Sequence, residues 1–181
     1  MKNEDYNKIL SEADCLHTAE EVGLALDKMA QAITEKLSTR NPLILCVLTG
    51  AIIPTGHLLT RLNFPLQLDY LHVTRYGDTT SGGKLDWLSE QNYSLKERHV
   101  LIVDDILDEG VTLQAIVDYC HQAGAASVSS AVLVEKCHNR KTDVKADFVG
   151  VQTEDRYLFG YGMDYKGYLR NADGIFAVKG L

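Results

Sequence analysis

Along the chain, apolar residues fall into two alternating rhythms, one with helical spacing and one as short continuous runs. Thr18 and Glu21 stand three apart, the signature of a capping box, and Val22, Leu26, Met29, Ile33 and Leu37 follow at steps of three and four. This predicts a helix opening at Thr18 with that face in the core. Leu43-Ile44-Leu45-Cys46-Val47-Leu48 is an unbroken apolar run, the pattern of a strand buried on both faces. Thr49-Gly50 then leads into a helix reaching Leu62, and Leu66 to Val73 reads as the next strand. A strand at Val100 to Val103 precedes a helix carrying Leu113, Ile116, Val117 and Cys120 on one face, with Gly124 as its stop. Further strands are predicted at Ser127 to Val134, Asp147 to Val151 and Ile175 to Val178. Strands and helices in alternation predict an α/β fold built on a mostly parallel sheet flanked by helices. No repeat, low-complexity tract or Pro/Gly-rich linker interrupts the pattern, so residues 1–181 are expected to form a single domain.

Arg75 to Asn92 is a polar, glycine-containing stretch too long for a simple connector. It reads either as a lid that closes over a site or as a disordered connector.

Composition narrows the function classes. With 181 residues, 45% of them hydrophobic, the chain can bury one sizeable core. No apolar run approaches the roughly 20 residues of a membrane span, and Met1 to Leu10 carries charge where a secretion signal would be apolar. Cys15, Cys46, Cys120 and Cys137 lie far apart without a CxxC pair, so reduced thiols and a cytoplasmic location are expected. A net charge of -7, with the basic residues scattered, opposes a nucleic-acid backbone. Small phosphorylated ligands remain open, because oriented backbone N–H groups and a metal ion hold phosphate without basic side chains.

The segment Asp104-Asp105-Ile106-Leu107-Asp108-Glu109-Gly110-Val111-Thr112 lies between a strand and a helix. In a parallel sheet, ligands bind beyond the carboxyl ends of the strands, where this segment, Thr49-Gly50 and Glu135-Lys136 all fall. A short loop into a helix N-terminus presents unpaired N–H groups, and Gly110 lets the backbone curl around an anion. Asp104 and Asp105 would accept hydrogen bonds from vicinal ribose hydroxyls or bind a hard cation such as magnesium. Capping and dipole effects also favour acids at helix starts, but four acids around one glycine exceed that need. Other motifs fail on spacing: Gly50 to Gly56 encloses five residues and continues with His57, unlike a P-loop, and the six histidines lack an HExxH pattern.

Val100 to Leu113 resembles the phosphoribosyl pyrophosphate motif of type I phosphoribosyltransferases: an apolar strand, two acids and a small loop ending in Gly-x-Thr. Leu133-Val134-Glu135-Lys136, Asp147 to Gly150, Tyr157 to Tyr165 and Leu169-Arg170 resemble the hypoxanthine-guanine branch. With Val47 to Ala51 and Arg75-Tyr76-Gly77, the resemblance covers nearly the whole chain. It implies the family's fold, with a small hood that binds the base. It implies that Asp104 and Asp105 serve the ribose hydroxyls and the metal, that Asp108, Glu109, Gly110, Val111 and Thr112 hold the 5-phosphate, and that Asp108 is the base facing purine N7. It further implies that Lys136 donates to the 6-oxygen, that Tyr157 stacks on the purine and that the Leu158 backbone reads its edge. Asp164 is implied to lie near the purine and the pyrophosphate-bound magnesium, while Thr49, Gly50 and Arg170 contact pyrophosphate. Glu109 stands where the family often has Thr, and Thr49 where it often has Lys, so Glu109 is given only a backbone role.

The activity so implied is magnesium-dependent transfer of phosphoribosyl from 5-phosphoribosyl 1-pyrophosphate to hypoxanthine or guanine, in a homodimer or homotetramer. Two alternatives share the same phosphate-binding features: a xanthine-preferring transferase, and a non-catalytic regulator that senses phosphoribosyl pyrophosphate.

Overall fold

A computed structural model of the chain describes residues 1–75, 85–89, 91–140 and 142–180. In chain order the elements are α1 (Asn3–Glu12), β1 (Asp14–Thr18), α2 (Ala19–Leu37), β2 (Leu43–Leu48), α3 (Ile52–Leu59), β3 (Gln67–Arg75), β4 (Leu85–Ser89), β5 (His99–Leu107), α4 (Val111–Gln122), β6 (Ser127–Cys137), β7 (Phe148–Glu154), β8 (Leu158–Phe159) and β9 (Gly174–Ala177).

Six strands form the main sheet in the order β4-β3-β2-β5-β6-β7, and only the β3–β4 pairing is antiparallel. The unbroken apolar run of β2 is explained by two cores. Ile44 packs with Leu101, Val103 and Leu133 under the α2 face of Val22, Leu26, Met29, Ile33 and Leu37. Leu43 and Leu45 pack with Val100 and Ile102 under Leu113, Ile116 and Cys120 of α4. Helix α2 starts as its sequence predicts: the Thr18 hydroxyl accepts from the Glu21 N–H at 3.3 Å, and the Glu21 carboxylate accepts from the Thr18 N–H at 2.8 Å. Gly124, at φ +83°, follows the end of α4.

A second, antiparallel sheet, β1-β9-β8, sits beside the first. Its own small core joins Phe159, Leu169 and Ala172 to Tyr6, Ile9 and Leu10 of α1. This is the hood that the resemblance implies.

Several boundaries differ from expectation. The helix after Thr49-Gly50 ends at Leu59 rather than Leu62, and α1 and β1 arise where the sequence pattern predicted nothing. The strand expected to stop at Val103 runs to Leu107, so Asp104 and Asp105 are strand residues; Asp104 pairs with Val132 and Leu107 with Glu135 of β6. Within Arg75 to Asn92, residues 85–89 form a strand and the Asn92 N–H is bound to Asp69. The remainder of the expected lid, 76–84 and 90, lies outside the described residues.

Candidate active site

The chain leaves β2 for β3 on one side and returns to β5 on the other, so β2 and β5 meet at a reversal of strand order. Their carboxyl ends open into a cavity of about 630 Å³, whose walls include Gly50, Asp104, Asp105, Asp108, Gly110, Thr112, Tyr157, Asp164 and Arg170. Of the three segments expected at this edge, Gly50 and most of Asp104 to Thr112 line the cavity, whereas Thr49, Glu135 and Lys136 do not.

Gly110 stands at the N-cap of α4 with φ +87°, where a Cβ would come within 2.6 Å of Thr142 Oγ1 and Val144 Cγ1. Only glycine suits so tight a turn beneath the 142–144 segment. Glu109 and Val111 are not among the residues lining the cavity, and the Glu109 carbonyl accepts the Thr142 N–H at 2.8 Å. Thr49 is exposed and also outside the lining, whereas Gly50 is buried within it. A cis peptide joins Leu48 to Thr49, at the entry to the Thr49-Gly50 turn.

Burial raises the Asp104 carboxyl well above the ordinary carboxylate range, and the adjacent Asp105 charge adds to the effect. Asp105 is raised by burial too, with hydrogen bonding from Asp104 and the Arg170 charge acting in the opposite direction. The Asp104 Oδ1 accepts the Asp105 N–H at 2.9 Å. Two partly buried acid groups side by side, with incomplete compensation, could take a hard cation or a pair of ribose hydroxyls.

A smaller cavity of about 250 Å³ adjoins the first and shares Asp105, Ile106, Asp108, Tyr157 and Asp164 with it; Lys136, Leu158 and Met163 complete its walls. Lys136 Nζ lies 3.0 Å from Asp108 Oδ2 and 3.5 Å from Asp155 Oδ1. His138 Nε2 lies 2.7 Å from Asp108 Oδ1. Burial pushes the Asp108 carboxyl up, but the Lys136 and His138 hydrogen bonds and charges outweigh it and hold the group below its ordinary range. Tyr157 is 43% exposed, with its ring edge-on to Tyr165 at 5.5 Å, and Leu158 is buried in β8.

Asp164 and Arg170, given separate roles from the sequence, are partners. Arg170 Nη2 lies 2.6 Å from Asp164 Oδ1, and Arg170 Nη1 donates to the Gly162 carbonyl at 2.6 Å. Asp164 Oδ2 accepts the Gly167 N–H at 2.7 Å, so both of its oxygens are engaged. Among the described residues, Asp108, His138 and Asp155 bring ligand atoms within 4.8 Å of one another. Lys136 on Asp108 and Arg140 on Asp155, at 2.5 Å, already supply that cluster with positive charge, which opposes a cation there.

Ile106, Met163, His138 and Asp155 were missed from the sequence. Ile106 lies inside the quoted motif but carries no polar signal, while His138 offers only its place two residues beyond Lys136, on the same side of an extended strand.

An acid pair and a glycine-opened helix terminus at the switch point of a parallel sheet, facing a hooded second cavity, define a binder of sugar phosphates and bases. Residues 12–166 match the phosphoribosyl transferase domain, and the chain belongs to that family. It is 33% identical to the hypoxanthine-guanine-xanthine phosphoribosyltransferase of Tritrichomonas foetus, over 91% of this chain and 90% of that protein. With the hypoxanthine-guanine phosphoribosyltransferase of Bacillus subtilis (strain 168) it shares 31% identity, over 99% and 97%. Its fold superposes on a hypoxanthine phosphoribosyltransferase from Staphylococcus aureus with a TM-score of 0.90 at 26% identity, covering 99% and 96% of the two chains.

Proposed function

We propose that the protein is a purine-salvage transferase that moves phosphoribosyl from 5-phosphoribosyl 1-pyrophosphate to hypoxanthine or guanine and releases pyrophosphate. The observation that carries this reading is the contact between the two cavities. Asp104 and the Gly110 turn line the first, Lys136 and Leu158 line the second, and Asp105, Asp108 and Tyr157 line both. The relatives' names support the same base class.

In this reading the N–H groups at the start of α4 hold the 5-phosphate, and Asp104 and Asp105 take the ribose hydroxyls. Lys136, which can only donate, selects a 6-oxo acceptor, and Tyr157 covers the purine ring. Purine N9 bonds to ribose C1 as the bond from C1 to pyrophosphate breaks, and the proton shed by the base passes at N7 to Asp108. Asp104 and Asp105 would hold magnesium, which would supply positive charge for the departing pyrophosphate. Arg170 assists pyrophosphate from its pair with Asp164, Gly50 leaves room for it, and Thr49 offers backbone only. Glu109 and Val111 contribute backbone to the phosphate turn.

No helix among the described residues is long and apolar enough to cross a membrane. All four cysteines are unpaired, which supports a cytoplasmic setting. Pyrophosphate release, measured separately with hypoxanthine, guanine, xanthine and adenine in the presence of magnesium, tests the proposal. Turnover with hypoxanthine or guanine is expected. Tight phosphoribosyl pyrophosphate binding without turnover on any base would overturn it in favour of a sensing protein, and turnover on xanthine alone would reassign the substrate.

A further inference from the structure

His138 is the first residue beyond β6, and its ring is inserted rather than solvated: the side chain is 6% exposed. Lys136 and His138, at i and i+2, reach the same Asp108 carboxylate from one side of the chain, Lys136 at Oδ2 and His138 at Oδ1. The other ring nitrogen settles the tautomer. His138 Nδ1 lies 3.1 Å from the backbone N–H of Arg140, which can only donate, so Nδ1 must present its lone pair. In the neutral ring the proton is then on Nε2 and points at Asp108 Oδ1. His138 is therefore a hydrogen-bond donor to the carboxylate, neither an acceptor of its proton nor a free metal ligand.

We propose that His138 is a positioning residue for phosphoribosyl transfer: its imidazole, oriented by the Arg140 N–H, fixes the Asp108 carboxylate at the oxygen that Lys136 leaves free so that a remaining lone pair faces the purine. This rests on the reading of Asp108 as the base toward N7. A carboxylate held by Lys136 alone can turn about its Cβ–Cγ bond and draw the ammonium into a two-oxygen grip. With Oδ1 occupied by His138, Lys136 keeps a single-oxygen contact and stays available to the 6-oxygen of the base. The charged groups around the ring are Asp108 from the turn after β5, Lys136 on β6, Arg140 beyond it and Asp155 after β7. Arg140 grips Asp155 at 2.5 Å, so Asp155 does not compete for the Nε2 proton. The depressed Asp108 carboxyl accords with donation from both neighbours.

Two variants separate orientation from packing. His138→Phe keeps the ring's bulk and removes the donor; His138→Gln carries an amide N–H to nearly the same point and does not titrate. For His138→Phe, kcat should fall about ten- to a hundredfold, the range of one charge-assisted hydrogen bond, with KM for phosphoribosyl pyrophosphate within about twofold of the parent. The acid limb of its kcat/KM profile should move to higher pH, because the carboxylate loses a donor that favours its ionised form. His138→Gln should recover most of kcat and return the acid limb. Asp108→Asn is measured beside them and should lose roughly 10²- to 10⁴-fold in turnover. Unchanged kcat and acid limb in His138→Phe, or equal impairment in the Phe and Gln variants, would overturn the inference while Asp108→Asn stays inactive. Full turnover in Asp108→Asn would instead overturn the reading of Asp108 as the base, and the inference with it.

Discussion

The Asp69 carboxylate, on a residue only 3% exposed, accepts four N–H groups: Tyr70 at 2.9 Å, the Asn92 backbone and side chain at 2.5 and 3.0 Å, and Tyr93 at 2.8 Å. Burial raises its proton affinity, but the four donors prevail and the carboxyl lies below its ordinary range. Its stabilising effect is therefore present above the unfolded-chain value near 4 and is lost as pH falls through the lower folded value. Asp69→Asn, which sets an amide N–H among these donors, should lower stability by about 2–4 kcal/mol in urea unfolding at pH 7, and the deficit should shrink in acid as the parent protonates. An equal deficit at pH 7 and in strong acid would mean that shape, not charge, holds the segment. Lys136 presents a second single-residue case, with its side chain 11% exposed between Asp108 and Asp155. Lys136→Met keeps the stem and removes the donor, so hypoxanthine use should weaken about ten- to a hundredfold while adenine gains relative to hypoxanthine. An unchanged ratio of kcat/KM for the two bases, in folded protein, would put selection of the 6-oxo group elsewhere. Asp108 and Lys136 could be picked from the sequence because each sits in a contiguous motif. Asp69 and His138 could not, since the partners that define them, Asn92 and Asp108, are 23 and 30 residues distant and neither residue lies in a contiguous motif.

At the level of elements, two glycines bring the loop after β2 against both β5 and the 160–164 turn. A Cβ at Gly50 would overlap the Asp105 carboxylate, and one at Gly162 would overlap the Gly50 carbonyl oxygen. The two obstacles differ in kind. Asp105 ends in a rotatable side chain, so Gly50→Ala should leave the melting temperature nearly unchanged but displace a carboxylate proposed to serve the ribose, lowering kcat/KM for phosphoribosyl pyrophosphate about tenfold. Gly162 stands at φ +107° against backbone that cannot yield, so Gly162→Ala should destabilise the fold by about 2 kcal/mol or more. Calorimetry beside kinetics checks the contrast; equal melting temperatures for the two variants would show that the turn relaxes freely. Most elements were legible because α2, β2, β5 and α4 bury repeating apolar faces, and repetition is what sequence reading detects. The elements that were missed have another basis. Helix α1 has no buried residue, β4 is an edge strand with one neighbour, and β8 spans two residues. Strand β5 outran its prediction because Asp104, Ile106 and Leu107 keep the ladder with β6 although the sequence turns acidic there.

The whole molecule carries a net charge of -7, so two copies repel unless they meet where charge is sparse. Ile52, Leu68, Tyr70 and Tyr93, each between 41% and 50% exposed, gather around a hollow of about 540 Å³ formed by α3, β3 and the segment after β4. Among the described residues, Asp69 is the one charged residue lining that hollow, and its carboxylate is occupied internally. Leu48 lines this hollow and the 630 Å³ cavity alike, so whatever covers the first supports the loop that closes the second. The family resemblance implies a homodimer or homotetramer without naming a face; we propose this face as a twofold contact of that assembly, each copy repeating the same contact about the axis. Burying such a patch contributes about 25 cal/mol per Å² of apolar surface, whereas two carboxylates introduced near the axis would lose hydration and repel each other. Leu68→Asp should therefore sediment as a monomer at micromolar concentration where the parent sediments as a dimer, and its turnover should fall as the Leu48–Gly50 loop loses support. A parent that is itself monomeric would refute the dimer, and a Leu68→Asp variant that still dimerises would move the interface to another face.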